Sequence, residues 1–490
     1  MRQPGLRKLR LVRHGSALLL VAGLGAVTAG LAATAAPSAK DKPAPAAKAT
    51  PKGAAAGIQP EDIPSGFNFP TAQPTVDGWV AKNDTMAMRN HAWDVWGGMS
   101  APSHAVIRLQ HLPIWETWYG SEEVFVAAGA PLAAGPRTIT RKFRRPHQFD
   151  HLRRAGVAVP AGADADQIVS FNKFSGASGK FLMASHPTPP GGASYLYTQQ
   201  AALNTLNGSW AQTVPVENRK IVDFPREAID TKPVMWLVKK TGLTPFPLWQ
   251  GTGADATTNA KNPTPTTWLN CVLVDPKGDP KTGLRPATPA EVKQANVNAK
   301  LVCDAKRYLY APLAMIYSFA LSADEAKDFN QAQGVPGMTA EAGDYAVLAA
   351  MHVTTKEIVN WTWQTFWWSG GKNPPNDFPG GSANLNAKVQ GPWRNYAMCT
   401  AYSMVVPATD PKGKPVVCFN PFLETSPGIP DGIDSNCMSC HGTARWPGNN
   451  NGGYPATYLP NGYIQFNDPT WFATQTRTDF AWAIPGDAVQ

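Results

Sequence analysis

The chain has 490 residues, and 43% of them are hydrophobic, which allows a large folded core and excludes a wholly disordered protein. Its formal net charge is +9. Residues 1–57 contain nine Lys and Arg and one Asp, so this segment carries +8 and the rest of the chain only +1. The basic balance therefore gives no support for nucleic-acid binding by the folded part.

The N-terminus has the three parts of a secretory signal peptide. A basic head precedes the uncharged apolar stretch 16–33, and the small residues Ala33-Thr34-Ala35 follow it. We predict a signal peptide over 1–35, a flexible Ala/Pro/Lys-rich linker over 36–57 and a single large domain over 58–490. Cleavage would release a periplasmic protein with no stable membrane insertion. The alternative is an uncleaved anchor that tethers the domain to a membrane.

The first predicted elements after the linker are helical. Residues 75–99 place Trp79, His91 and Trp93 near helical spacing, which predicts one or two helices that end at Gly97-Gly98. Short apolar runs between turn residues follow, and two of them, 180–185 and 234–240, predict strands. Later in the chain, the segments 288–291 and 322–325 have the pattern of capping boxes and predict two helix starts.

The clearest strand patterns lie between residues 308 and 420. Residues 344–355 and 358–368 are two of these patterns, and in the second Trp361, Trp363 and Trp367 share one face of the strand. Helical patterns are few and do not alternate regularly with the strands. We therefore predict an α+β, β-rich fold with a sandwich-like sheet core and a few capped helices.

Four of the six cysteines lie outside the C-terminal region, and an even number fits disulfides in an exported protein. Three pairings are open to them, and proximity in sequence favours Cys271–Cys303 with Cys399–Cys418. The alternative is four buried free thiols.

The segment SNCMSCHGTARW (435–446) contains the pattern Cys437-x-x-Cys440-His441, the attachment signature of c-type haem. Two thiols at this spacing can bond the two vinyl groups of one porphyrin, and the adjacent histidine can bind the iron. A zinc site would need a second set of such ligands, which the sequence lacks. A thioredoxin-type CxxC would follow a strand, whereas GIPDGIDSN precedes this one. We predict one covalent haem c in a loop-borne site within about 430–490.

The stretch CMSCHG resembles the haem-binding pentapeptide of c-type cytochromes. The resemblance implies thioether links at Cys437 and Cys440 and axial ligation by His441. A second stretch, MHVTTKEIVNWTWQTFWW (351–368), is similar to a segment of large, poorly characterised bacterial cytochrome c family proteins. The pattern departs from small soluble cytochromes, because a Gly/Pro/Asp-rich segment precedes the motif and no Met, His, Lys or Cys follows His441.

A sixth iron ligand would therefore have to come from upstream. The candidates on predicted strands are Met351, His352, Met398 and Met404, and the other histidines considered are His91, His104, His111 and His186. We favour His352, because a histidine in an apolar strand needs partners for its ring nitrogens. The alternative is a core histidine satisfied by hydrogen bonds alone.

The segment RKFRRPHQFDHLRR (141–154) gathers six Arg and Lys residues with His147 and His151. It could bind an acidic redox partner protein or an anionic ligand, or it could be a solvated basic loop. A metal held by the two histidines is disfavoured by Pro146 and by the lack of further ligands nearby.

These patterns favour a periplasmic monohaem c-type cytochrome that transfers single electrons to and from a redox partner protein. The alternative is a haem enzyme or haem-based ligand sensor, with an open sixth iron position and a substrate site in the upstream domain. The sequence offers no acid/base constellation that would identify catalytic residues, so enzyme activity stays open at this point.

Overall fold

The computed structural model describes residues 57–107, 110–127, 136–139, 141–145, 168–189, 192–249, 264–298, 300–332, 334–371, 381–382, 384–424, 435–448 and 462–490. The predicted signal peptide and the linker before residue 57 lie outside them. The described residues belong to one compact unit. None of the helices in these ranges is long and apolar enough to span a bilayer.

The α-helices are α1 (Gln73–Lys82), α2 (Thr85–Met99), α3 (Ser121–Val124), α4 (Gly176–Met183), α5 (Gln200–Ser209), α6 (Pro289–Gln294), α7 (Ala323–Gln331), α8 (Cys437–Gly442), α9 (Pro469–Phe472) and α10 (Ala483–Asp487). Short 3-10 helices cover Ser65–Phe67, Ile114–Thr117, Val216–Asn218, Pro265–Thr267, Pro280–Thr282, Ala305–Arg307, Leu313–Met315 and Gly391–Asn395.

The strands are β1 (Pro102–Ile107), β2 (Gln110–Pro113), β3 (Tyr119–Gly120), β4 (Lys173–Phe174), β5 (Ser185–Pro187), β6 (Ser194–Leu196), β7 (Ile229–Val238), β8 (Thr244–Pro247), β9 (Cys271–Asp275), β10 (Arg285–Pro286), β11 (Leu309–Pro312), β12 (Ser318–Ala320), β13 (Tyr345–Thr355), β14 (Thr362–Trp368), β15 (Tyr396–Ala401), β16 (Val405–Val406), β17 (Lys414–Pro415), β18 (Arg445–Trp446) and β19 (Thr476–Arg477). The prediction of an α+β, β-rich fold is confirmed.

The helical prediction for 75–99 is confirmed as two helices, α1 and α2. Asp84 begins α2, because its carboxylate accepts the Ala87 N–H at 3.0 Å. The predicted end at Gly97-Gly98 is wrong, since α2 continues to Met99. Gly98 instead permits a close approach: a Cβ at this position would lie 2.4 Å from Ile63 Cγ2.

Both predicted capping boxes begin helices. Thr288 and Glu291 cap α6 reciprocally, and Ser322 and Glu325 do the same for α7. The strand predicted over 180–185 is wrong, because most of it belongs to α4. Ser175 caps that helix by accepting the Ser178 N–H, so a local hydrogen bond there overrides the short apolar pattern.

Strand β13 organises the main sheet, whose order is β15-β14-β13-β7-β4-β3. It pairs antiparallel with β7 along its full length, and its other edge pairs with β12 and β14. Because β13 is hydrogen-bonded on both sides, its register determines which side chains face each side of the sheet. A four-stranded sheet, β10-β11-β9-β8, packs against the main sheet through Phe246, whose ring contacts Trp236 and Trp368.

The two faces of the sheet differ in chemistry. Met351, Phe366 and Met398 lie side by side on one face. Phe366 stacks on Trp96 of α2 with ring centroids 4.2 Å apart, so this face belongs to the apolar core. The same pairing puts His352, Thr365 and Cys399 on the opposite face, which is therefore the polar one.

The structure contains the disulfides Cys271–Cys303 and Cys399–Cys418, which confirms the favoured pairing. The first links β9 to the segment before the 3-10 helix Ala305–Arg307. The second links β15 to the chain that leads into the C-terminal region.

Removing the first disulfide should destabilise the protein. The double variant Cys271→Ala/Cys303→Ala opens a loop with a sequence separation of 32 residues. We expect the free energy of unfolding to fall by about 4 kcal/mol, mainly because the unfolded chain gains freedom. Urea unfolding followed by Trp fluorescence measures this loss, with exposed Val302→Ala as the control. Free thiols at both positions in the untreated native protein would contradict the disulfide.

Lys173 of β4 is a buried cation that predicts a pH effect. Its Nζ donates to the Trp118 carbonyl at 3.0 Å, and burial lowers its pKa from 10.5 to about 8. Between these values the unfolded chain binds more protons than the folded one, so stability rises with pH across this window.

In the wild type, the free energy of unfolding should therefore rise by up to about 3 kcal/mol between pH 8 and pH 10.5, and Lys173→Met should abolish this rise. Urea midpoints across this range test the expectation. The exposed Lys180→Met on α4 should keep the wild-type slope. Parallel pH profiles for wild type and Lys173→Met would contradict the assignment.

Candidate cofactor-attachment site

The CxxCH motif forms the short helix α8, and the residues at 425–434 before it lie outside the described ranges. The prediction placed the motif on a loop, whereas the motif itself is helical, with Asn436 as its N-cap. Its side-chain oxygen accepts the Ser439 N–H at 3.0 Å. Its amide nitrogen donates to the carbonyls of Ser403 and Val416, which fixes the start of α8 against the preceding chain.

The two motif cysteines are three positions apart on α8, so their thiols lie on the same side of one turn. Neither thiol takes part in a disulfide. Cys437 Sγ donates to the Cys418 carbonyl at 3.3 Å. Although Cys437 keeps some accessible surface, protein atoms surround it densely. This burial, with the charge of Glu424 as the next cause, raises the pKa of Cys437 well above its ordinary value.

His441 follows on the same turn with its ring held in place. Its Nδ1 lies 2.9 Å from the Phe480 carbonyl, and its ring centroid lies 4.2 Å from that of Trp363. A carbonyl only accepts hydrogen bonds, so Nδ1 carries the proton and Nε2 keeps its lone pair. Metal-binding histidines are usually oriented by such a hydrogen bond from the ring nitrogen that does not bind the metal.

Electrostatics keep the His441 ring neutral. The side chain is half-buried by accessible surface but densely surrounded, and lost solvation lowers its pKa to about 3. The Phe480 hydrogen bond opposes this effect, while positive charge at His352 and Lys232 adds to it. A neutral imidazole is the form that binds a metal ion.

His352 and Lys232 lie on the polar face of the sheet. They are directly opposite each other in the β13–β7 pairing. Trp363, which contacts His441, belongs to the same face of β14, one rung along from the pair Thr365 and His352. The structure therefore brings His352 into the surroundings of His441, and it adds Lys232, which the sequence reasoning missed.

Burial is the main cause that lowers the pKa of Lys232 to about 8, and the charges of Glu424, Asp487 and Cys440 oppose it. Lys232 stays cationic at neutral pH. Lys232 directly precedes the apolar run 233–238 of β7, and this position was the sequence signal that could have identified it.

Glu424 is the second residue that sequence reasoning missed here. One of its oxygens lies 3.0 Å from His352 Nε2, and the other accepts the Asn420 N–H. The carboxylate only accepts, so Nε2 of His352 is the donor in this contact. His352 thus has a hydrogen-bonding partner in the fold, which was the alternative weighed for it.

The methionines considered as ligands have other surroundings. Met351 and Met398 lie beside Phe366 on the apolar face of the sheet, away from the face of Trp363 and His441. Met404 packs against Gly442, the last residue of α8, and its sulfur accepts the Ile464 N–H at 3.2 Å.

The four remaining histidines considered as ligands also have partners of their own. These partners are Tyr402 and Glu357 for His91, Glu61 for His104, the Ser103 carbonyl for His111 and the Phe181 carbonyl for His186. Each of these contacts serves another part of the fold, and His352 alone among the eight candidates is placed on the face that carries Trp363.

The basic segment is described only in part. Arg141 pairs with the buried Glu116 and with Glu325, so its charge is used inside the fold. Arg144 pairs with Asp487 at 3.1 Å. His147 and His151 lie outside the described residues. Arg141 and Arg144 are therefore engaged in internal ion pairs, and docking of an acidic partner stays a prediction.

No family model, curated protein or solved structure matches the chain. In the described ranges, no group of three or more His, Cys, Asp or Glu side chains is arranged to hold a metal ion by itself. The donors present at α8 are two adjacent thiols and one oriented, neutral imidazole, and this set fits a covalently attached haem.

Asn436→Ala should destabilise α8, the helix that carries the motif. The change removes the cap of α8 and two donors to carbonyls while leaving the thiols and His441 in place. We expect the free energy of unfolding to fall by about 2 to 4 kcal/mol in a urea titration. The exposed Asn218→Ala is the matched control and should change it by less than about 0.5 kcal/mol. Equal stability of the two variants would contradict the capping role.

Proposed function

We propose that the protein is an exported monohaem c-type cytochrome that transfers single electrons. The observation that carries this proposal is the orientation of His441: Nδ1 donates to the Phe480 carbonyl, so Nε2 keeps its lone pair beside two thiols on one helical turn. Haem, when bound, supplies an iron that cycles between the ferric and ferrous states.

Each residue of the motif has a separate task in this proposal. Cys437 and Cys440 would hold one edge of the porphyrin as thioethers, and His441 would be the axial ligand. The Phe480 carbonyl orients the imidazole and increases its basicity as a ligand. Trp363 packs on the ring and limits the access of water.

Export is part of the proposal. Two disulfides are typical of an oxidising compartment, and covalent haem attachment fits the same location. A redox partner protein would supply or accept the electron, and neither nucleic acid nor a stable membrane insertion belongs to this function.

A haem enzyme or ligand sensor is the second candidate function. The observation that favours it is the contact between His352 Nε2 and Glu424, because it engages the ring nitrogen of the favoured sixth ligand. An iron without a protein ligand on that side would exchange small molecules there.

The double variant Cys437→Ala/Cys440→Ala should lose covalent haem, because no thioether can form. Expression of the full chain with a haem maturation system, followed by a haem-stained denaturing gel, measures this. Ser439→Ala is the matched control within the motif, since the Ser439 hydroxyl is buried without a hydrogen-bond partner among the described residues. It should retain the stain. Absence of haem stain from the wild-type protein would overturn the proposal.

A further inference from the structure

The carbonyl that orients His441 belongs to a piece of backbone in an unfavourable conformation. Asp479 and Phe480 both have positive φ, at +48° and +67°, and neither is a glycine. A bulky residue such as Phe480 is rare in this left-handed region and persists there only when contacts around it hold it in place. The Phe480 carbonyl accepts from His441 Nδ1 at 2.9 Å, so the orientation of His441 depends on whatever holds this segment.

The Asp479 carboxylate makes the contacts that hold the segment. One of its oxygens accepts from Lys356 Nζ at 2.6 Å, and the other accepts from the Phe224 N–H at 3.0 Å. The side chains of Lys356 and Asp479 are each only 4% exposed, so the pair is shielded from water. Because a buried charge is costly unless its partner is in place, the ion pair fixes Asp479 and, with it, the carbonyl of the next residue.

Lys356 also holds the second group that packs on His441. It directly follows β13, and its Nζ donates to the Val359 carbonyl at 2.7 Å in the turn before β14. The Asn360 carbonyl of the same turn accepts from Trp363 Nε1 at 3.0 Å. The ring centroids of Trp363 and His441 are 4.2 Å apart. One ammonium group thus links the carbonyl and the indole ring that contact His441.

A second carboxylate near Lys356 is a weaker partner. Asp223 Oδ1 lies 3.6 Å from Lys356 Nζ, and Asp223 is half-exposed and also pairs with Lys220 at 2.9 Å. Solvent screens a charge in that position, whereas the buried charges of Lys356 and Asp479 act on each other with little screening. The buried pair therefore provides the constraint on position.

We propose that the Lys356–Asp479 ion pair sets the reduction potential of the attached haem by fixing the hydrogen bond from His441 Nδ1 to the Phe480 carbonyl. This inference rests on the proposed haem attachment. A hydrogen bond from Nδ1 to a carbonyl makes the imidazole a stronger donor to iron, which favours the ferric state. Weakening that bond should therefore raise the potential. Lys356 and Asp479 are positioning residues, because they act through the carbonyl and the indole ring.

A redox titration of the full haem-loaded protein separates positioning from a direct effect of charge. If the two charges acted on the iron only directly, Lys356→Met would lower the potential and Asp479→Asn would raise it. If they act by positioning, both variants raise it, because each breaks the same ion pair. Asp479→Asn keeps an acceptor for the Phe224 N–H, and Asn tolerates positive φ.

Two further variants complete the test. The double variant Lys356→Met/Asp479→Asn leaves the net charge unchanged and no unpaired charge in the core, so it gives the answer where a single variant does not fold. Lys220→Met is the matched control, because it removes one positive charge from an exposed pair with Asp223. Urea unfolding followed by Trp fluorescence establishes which variants are folded.

We expect the preference of the site for ferric iron to fall by about tenfold in both single variants and in the double variant, the lower end of the effect of removing a partner of a metal ligand. For a one-electron step this is a rise in potential of about 59 mV. Lys220→Met should keep the wild-type potential.

Two results would overturn the inference while leaving haem attachment intact. The first is opposite shifts in the single variants with no shift in the double variant, which would assign the pair a direct effect of charge. The second is folded variants that all keep the wild-type potential, which would make the pair a contribution to stability alone. Failure of haem attachment appears separately, as the absence of any Soret band from the wild type.

Discussion

The disulfide Cys399–Cys418 is the link on which the attachment site depends. Cys399 lies in the sheet, opposite Thr365, while the backbone of Cys418 pairs with Asn436 and its carbonyl accepts the Cys437 thiol. A six-residue helix has little stability of its own, so α8 needs such fixed neighbours. The covalent bond holds the motif against one face of the sheet, and the positions of Lys232, His352 and Trp363 on that face follow from the strand register.

That register divides the sheet into a structural and a chemical face. On one side, Phe366 packs on Trp96 and completes the apolar core. On the other side, Lys232, His352 and Glu424 are charged or polar groups in costly, densely packed surroundings. Burying such groups lowers the stability of the fold unless they are paired. Buried ionisable groups of this kind are common at functional sites. Their position beside His441 is the reason to regard this face as functional.

The sequence was sufficient for what depends on local pattern and covalent chemistry: the CxxCH motif, the two capping boxes and the disulfide pairing by proximity. It was insufficient where a contact between residues distant in sequence determines which groups join the site. Phe480 reaches His441 through a backbone carbonyl, which leaves no trace in residue identity. Lys232 joins the site only through the β7–β13 register, and residues 180–183 are helical because Ser175 caps their helix. Tertiary pairing and short-range capping override side-chain pattern in these places.

A spectroelectrochemical titration of the purified, exported protein tests the central claim most directly. If Cys437, Cys440 and His441 hold one haem, the visible spectrum will change reversibly between ferric and ferrous forms with the slope of a single one-electron step, about 59 mV per decade. A protein with no haem absorption, or one whose haem is extracted by acid and organic solvent, would contradict covalent attachment at this motif.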